Sequence, residues 1–170
     1  MDEAINILRT GIKLEKNGLQ SYLEFAFNTK DVTGKNMFIK LSRDELTHMD
    51  TLEKQLDNLA CGKVWKCEEI PHSIIEKLTP QLRKSDKQKS DKGADELGAL
   101  KTALTLEKES IDFYNSAKTK ISNSDAIKMF DRIIEMEESH YDLIQAEIDH
   151  IESTGFWFGI PEFSLESEPG

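Results

Sequence analysis

The stretch "MFIKLSRDELTHMD" (37–50) returns as "MFDRIIEMEESHYD" at 129–142, an offset of 92 that lays Glu45 on Glu137, His48 on His140 and Asp50 on Asp142. The same offset, without a gap, lays "LRTGIKLEKNGLQSY" (8–22) on "LKTALTLEKESIDFY" (100–114), pairing Leu8 with Leu100, Glu15 with Glu107 and Tyr22 with Tyr114. A repeat of this length means that one supersecondary unit has been used twice. Hydrophobic spacing says which unit it is. Ile5, Leu8, Ile12, Leu19, Tyr22 and Ala26 recur at threes and fours, and Phe38, Leu41, Leu52, Leu56 and Leu59 mark a second stripe of the same kind. Each stripe is one face of a 3.6-residue helix, so each copy of the repeat is a helical hairpin.

The first helix is predicted over about residues 3–29 and the second from Thr33, available as its N-cap, to "ACGK" (60–63). Leu100, Ala103, Leu104, Ile111 and Tyr114 carry a third, and Phe130, Ile133, Ile144 and Ile151 a fourth; "SNSDA" (122–126), with its capping Ser and Asp, separates them. Between the hairpins, from about 61 to 94, the periodicity weakens. Pro71 and Pro80 bracket a short helix, "HSIIEKL" (72–78), and the polar run "RKSDKQKSDKGAD" (83–95) follows. The expected fold is all-α: a pseudo-twofold four-helix bundle over residues 1–153, made of two repeated hairpins joined by a long crossover, with an aromatic-rich tail at 154–170.

The totals agree with one helical core. Of 170 residues, 38% are hydrophobic and 32% charged, with only nine Gly and four Pro. A formal charge of −10 disfavours phosphate backbones and anionic membranes and favours small cations. No stretch reaches the roughly 18 apolar residues of a membrane span, and the acidic start "MDEAINILRT" is unlike a secretion signal, so a cytoplasmic location is expected. Cys61 and Cys67 have no zinc-type spacing and read as reduced thiols, with a redox pair near the bundle end as the alternative.

Six polar side chains interrupt the apolar stripes. Glu15 stands three after Ile12 and four before Leu19; Glu107 stands three after Leu104 and four before Ile111. In the second helix the inward series reads 38, 41, 45, 48, 52, and in the fourth 130, 133, 137, 140, 144, which places Glu45, His48, Glu137 and His140 inside. Glu15 and the Glu45/His48 pair lie about equally far from the turn between their helices, so at about 1.5 Å per residue they come level. The other hairpin does the same. Four carboxylates meeting two imidazoles in a core need compensating charge, since an isolated buried ion costs several kcal/mol even after relaxation. Two divalent cations would supply it, and one Glu from each of two helices with Glu-x-x-His from each of the other two is the ligand set of di-iron and di-manganese bundles. Mixed oxygen and nitrogen donors favour iron or manganese over thiolate-type zinc. The plain alternative is a metal-free network of hydrogen-bonded Glu and His, or a site that binds metal and does no chemistry.

The paired "LEK…Y" and "E-x-x-H" helices, the "EESH" form on the fourth helix and the tyrosines seven residues after Glu15 and Glu107 resemble the ferritin-like superfamily, and within it the rubrerythrins, over roughly residues 3–151. The resemblance implies a ferritin-like bundle holding two iron ions, with manganese or a mixed pair also possible. Glu15 and Glu107 would be terminal ligands, Glu45 and Glu137 bridging ones, His48 and His140 the imidazoles. It implies an oxidoreductase that reduces hydrogen peroxide or dioxygen at a diferrous site and answers oxidative stress. A ferroxidase that handles iron, an oxygenase, and a structural or partner-binding bundle with an inert site are the rival readings. Two departures bear on this. Rubrerythrins typically add a Glu one turn after the third-helix ligand, where this chain has Ser110, with Gly18 as its repeat mate. They also often carry a rubredoxin domain with two Cys-x-x-Cys motifs, where this chain has only "CGKVWKC" (61–67), so electrons would come from a separate donor such as a rubredoxin-like protein.

Other residues carry weaker signals. Tyr22 and Tyr114 read as core aromatics with satisfied hydroxyls or, alternatively, as catalytic partners of the site. Asp44, whose repeat mate is Met136, reads as a surface carboxylate; Asp50 and Asp142, which match across the repeat, are equally readable as orienting groups for the imidazoles or as solvated helix faces. His72 and His150 lie off the stripes and read as surface residues. In the tail "TGFWFGIPEF" (154–163), Phe156, Trp157, Phe158 and Phe163 are expected to be buried against the bundle, against a partner in a homodimer, or over the site.

Overall fold

The computed structural model describes residues 2–66, 69–82, 94–160 and 163. Among the described residues five helices follow in chain order: α1 (Asp2–Asn28), α2 (Val32–Ala60), α3 (Ile74–Leu82), α4 (Ala94–Lys120) and α5 (Ser124–Thr154). The described residues contain no strand, and the four long helices form the all-α bundle expected of the repeat, with the paired hairpins that the ferritin-like resemblance implies. α1 packs along α2 and α4 along α5, and α1 meets α4 between the hairpins. Tyr22 reaches Glu107, and Tyr114 reaches Glu15. Positions therefore rise on α1 as they fall on α4, and these two helices run antiparallel. His48 meets Met136 while His140 meets Asp44, so α2 and α5 are antiparallel as well.

Local chemistry sets the helix ends. The N-cap of α2 is Asp31 rather than Thr33: its side chain accepts from the Thr33 and Gly34 amides, satisfying two of the donors a helix start leaves open. Asn123, not the neighbouring Ser or Asp, caps α5 in the same way through the Asp125 and Ala126 amides. α5 ends at Gly155, whose φ of 79° is the left-handed turn that lets its amide return to the Ile151 carbonyl. The short helix of the crossover starts at Ile74 and continues past Pro80 to Leu82, instead of lying between the two prolines. Ile75 and Leu78 are buried and α3 packs on α5, which holds this turn together despite the missing proline N–H. Arg132 fastens the crossover further, bridging to Glu76 at 2.6 Å. Cys67 and residues 83–93 of the polar run lie outside the described residues, as do 161–162 and 164–170 of the tail.

Two apolar clusters lie at opposite ends of the bundle. One gathers Leu8, Leu52, Tyr114, Phe130 and Ile133. The other gathers Tyr22, Phe38, Leu41, Leu100 and Ile144, together with Trp157, Ile160 and Phe163 from beyond α5. Phe156 departs from the expectation of burial: it is 68% exposed, while Trp157 beside it turns inward. The Trp157 ring lies flat over Gly34, where a Cβ would come within 2.5 Å of the indole, and its Nε1 donates to Glu96 Oε2 at 2.6 Å. Gly34→Ala is therefore expected to push the indole out, costing about 1–3 kcal/mol by overpacking. Thermal melting and tryptophan emission would report it together, as a lower melting temperature and a red shift; an unchanged melt would show that the indole yields freely.

Candidate metal centre

The six polar residues of the stripes meet at mid-bundle. Glu15, Glu45, His48, Glu107, Glu137 and His140 are each at most 4% exposed, which rules out solvation as their means of carrying charge. They form two overlapping groups, Glu15/Glu45/His48/Glu137 and Glu45/Glu107/Glu137/His140, in each of which one ligand atom per residue lies within 4.8 Å of the others. Glu45 and Glu137 belong to both, as bridging carboxylates would, whereas Glu15 with His48 and Glu107 with His140 complete one half each.

Hydrogen bonding divides these halves. On one side His48 Nδ1 lies 3.2 Å from both Glu15 Oε2 and Glu137 Oε1. On the other, His140 Nδ1 lies 3.3 Å from Glu137 Oε2 and 3.5 Å from Glu45 Oε1 and Glu107 Oε2. Those four atoms have no hydrogen-bond partner. Buried polar atoms are nearly always paired, and four orphans aimed at one another make sense around a cation. The donor set fits a pair of divalent metal ions, with three oxygens and one nitrogen available in each half.

Without a cation the cluster keeps its charge down by holding protons. Burial, followed by the charges of Glu137 and Glu15, holds Glu45 well above the usual carboxylate range. Burial and Glu137 raise Glu107 to about 8. Burial would raise Glu137 too, but neighbouring Glu107 and the His48 and His140 imidazoles outweigh it and keep Glu137 ionised well below the usual range. Burial opposes the charge on His48, yet Glu137 and Glu15 push it up to about 10, and His140 is raised in the same manner with Glu107 as its main charged partner.

Tyr22 donates to Glu107 Oε1 and Tyr114 to Glu15 Oε1, each crossing to the carboxylate of the opposite hairpin. Both phenols are fully buried and raised above their ordinary range, by burial first and then by the carboxylates they face. Ser110, where rubrerythrins typically carry a further glutamate, donates instead to Glu137 Oε1 at 3.1 Å. A cavity of about 240 Å³ opens beside it between α1 and α4, with Leu14, Gly18 and Leu106 in its walls and Glu45, Glu107 and Glu137 reaching its floor. Gly18 matters to that space, because a Cβ there would sit 3.0 Å from Glu45 Oε2.

Asp44 corrects the sequence reading. It is not a surface carboxylate: its side chain is 17% exposed, accepts from Ser73 and lies 3.1 Å from His140 Nε2. Its repeat mate Met136 places Sδ 3.4 Å from His48 Nε2. The signal was present, since positions 44 and 136 each stand one turn before a histidine, but each serves the histidine of the other hairpin. Asp50 is exposed. His72 is also exposed and pairs with Glu76, while His150 stacks on Phe158 with ring centres 3.9 Å apart. Cys61 is exposed and forms no disulfide among the described residues.

Comparison with curated proteins and with solved structures gives no match. Among protein families, the family model described as Rubrerythrin matches residues 6–148, a span that takes in both hairpins, the crossover and all six residues of the cluster. On that match and the buried carboxylate and imidazole cluster beneath it, the chain belongs to the Rubrerythrin family.

Proposed function

We propose that this protein is a di-iron oxidoreductase that reduces hydrogen peroxide or dioxygen, with Glu15, Glu45, His48, Glu107, Glu137 and His140 as the metal ligands. The observation that carries the reading is the convergence of four unpartnered buried atoms, Glu45 Oε1, Glu107 Oε2, Glu137 Oε2 and His140 Nδ1. When bound, the pair of ions would supply two electrons, one each, to an O–O bond; peroxide then takes up two protons and leaves as two waters. Everything else falls to side chains. Tyr22, on the cavity wall, holds a proton at its hydroxyl against Glu107 and keeps that carboxylate turned toward the cluster. Tyr114 does the same for Glu15. Ser110 Oγ fixes one oxygen of the shared Glu137, leaving the other free for the Glu107/His140 half. Leu14 and Leu106 limit the water that reaches the floor of the cavity, and Gly18 leaves room for a small oxidant.

Membership of the family supports iron as the native metal. Electrons would come from a separate donor such as a rubredoxin-like protein, in a cytoplasmic homodimer; no described helix is long and apolar enough to cross a membrane. Rapid mixing of the anaerobic Fe(II)-loaded protein with hydrogen peroxide or with oxygen tests the assignment. Oxidation much faster with peroxide is expected. Faster reaction with oxygen would favour a ferroxidase or oxygenase, and no reaction with either would leave a bundle with an inert site.

A further inference from the structure

The repeat makes the two halves of the cluster equivalent in their ligands, yet the residues behind the ligands break that equivalence in two independent ways. The first lies behind the imidazoles. His140 Nε2 faces Asp44, a carboxylate that can only accept, so Nε2 must carry a hydrogen, and a cation held by Glu45, Glu107 and Glu137 would take the Nδ1 lone pair in place of a proton. A carboxylate partner also makes the imidazole a better donor to a cation. His48 Nε2 faces instead the thioether of Met136, a weak and uncharged acceptor that fixes neither tautomer nor ring angle strongly. The second lies among the ligand atoms themselves. In the His48 half the imidazole Nδ1 already bonds Glu15 Oε2 at 3.2 Å, whereas the outer oxygens of Glu15 and Glu107 are alike, each accepting from a tyrosine. A cation entering there must break a bond already made. In the other half His140 Nδ1 stands at 3.3 Å from Glu137 Oε2 and 3.5 Å from Glu45 Oε1 and Glu107 Oε2, and none of these four atoms makes a directed hydrogen bond.

We propose that the two halves bind metal unequally and in order: the first divalent cation enters the Glu107/His140 half, and Asp44, through His140, is the positioning residue that makes it the tighter one. The proposal rests on the metal-binding reading above. It gives that site a direction, since one position keeps its ion when metal is scarce and the other fills and empties on top of it. Asp44 also lines a surface cavity of about 320 Å³ with Lys40, Arg43 and His72, on a different face from the cavity whose floor the ligands reach.

Anaerobic titration of the metal-free full chain with Co(II), followed by calorimetry and by the visible absorption of the bound ion, tests this without any turnover. The wild-type chain is expected to bind two ions in steps at least tenfold apart in affinity. Glu15→Gln should spare the tight step and lose the weak one; Glu107→Gln should lose the tight step. Asp44→Asn should weaken the tight step by about 10–100-fold and change the weak one less than twofold. Two ions bound within threefold of each other in the wild type, or an Asp44→Asn loss falling equally on both steps or on the weak one, would overturn the proposal while leaving the metal centre standing. No binding of Co(II) at all would overturn both.

Discussion

Stripping metal from the wild-type protein with a chelator is expected to lower its melting temperature by roughly 10–20 °C, and Glu45→Ala to remove most of that difference. A ligand that binds the folded chain and hardly the unfolded one stabilises by RT ln(1 + [L]/Kd), about 2.7 kcal/mol for each ion at a free concentration of about 100 times Kd. Two ions then contribute about 5 kcal/mol, and in a chain of this size each kcal/mol moves the melting temperature by about 2–4 °C. Glu45 is the sharpest single test because it belongs to both groups of ligand atoms, so its loss takes an oxygen from each half. The chelator-dependent shift in Glu45→Ala should fall below about 3 °C. Scanning calorimetry with and without chelator reads it directly; equal shifts in both proteins would place the stabilising metal elsewhere.

The second large effect lies outside the cluster. Glu147 is fully buried where the segment after α5 returns to the bundle; its Oε2 accepts from the Phe158 amide at 3.1 Å and its Oε1 has no partner. Burial raises it to about 8, the Phe158 bond lowers it only in part, and Asp31 adds to the rise. A carboxyl raised in the folded state is protonated in both states below the ordinary value of about 4.5, where it does not affect stability. As pH climbs from there to about 8, the unfolded chain gives up the proton and the folded chain keeps it, so stability is lost across that window and not recovered above it. The upper bound is about 5 kcal/mol at 1.36 kcal/mol per pH unit, and a few kcal/mol is the expected size. Glu147→Gln keeps an oxygen for the Phe158 amide and cannot ionise. In the presence of chelator it should melt roughly 5–10 °C above wild type at pH 9 and within a few degrees of it at pH 5. A constant difference at both pH values would mean that Glu147 does not hold its proton.

What the sequence made legible follows from how each residue acts. The helices and the six residues of the cluster were readable because periodicity fixes which face a residue occupies, and the repeat fixed the same height twice. Asp44 was misread, and the contact of Met136 with His48 went unseen, because their partners lie on the opposite hairpin, across the antiparallel α2 and α5, where spacing along one helix gives no information. The tyrosine to glutamate bonds are hidden for the same reason, this time across α1 and α4. Helix caps were missed by one or two residues because several capping side chains stand together at each turn, and only backbone geometry chooses Asp31 over Thr33. Phe156 and Trp157 are both large and apolar; which one turns inward is decided by Gly34, which lies more than a hundred residues away in the chain.

Whether paired metal ions lie at mid-bundle can be seen by anomalous diffraction at the iron edge from crystals of the Fe(II)-loaded protein grown without oxygen. Two peaks roughly 3.5–4 Å apart are expected, both between Glu45 and Glu137, one flanked by Glu15 and His48 and the other by Glu107 and His140. A cluster without anomalous density in protein shown to carry iron, or iron held only at other side chains, would contradict it.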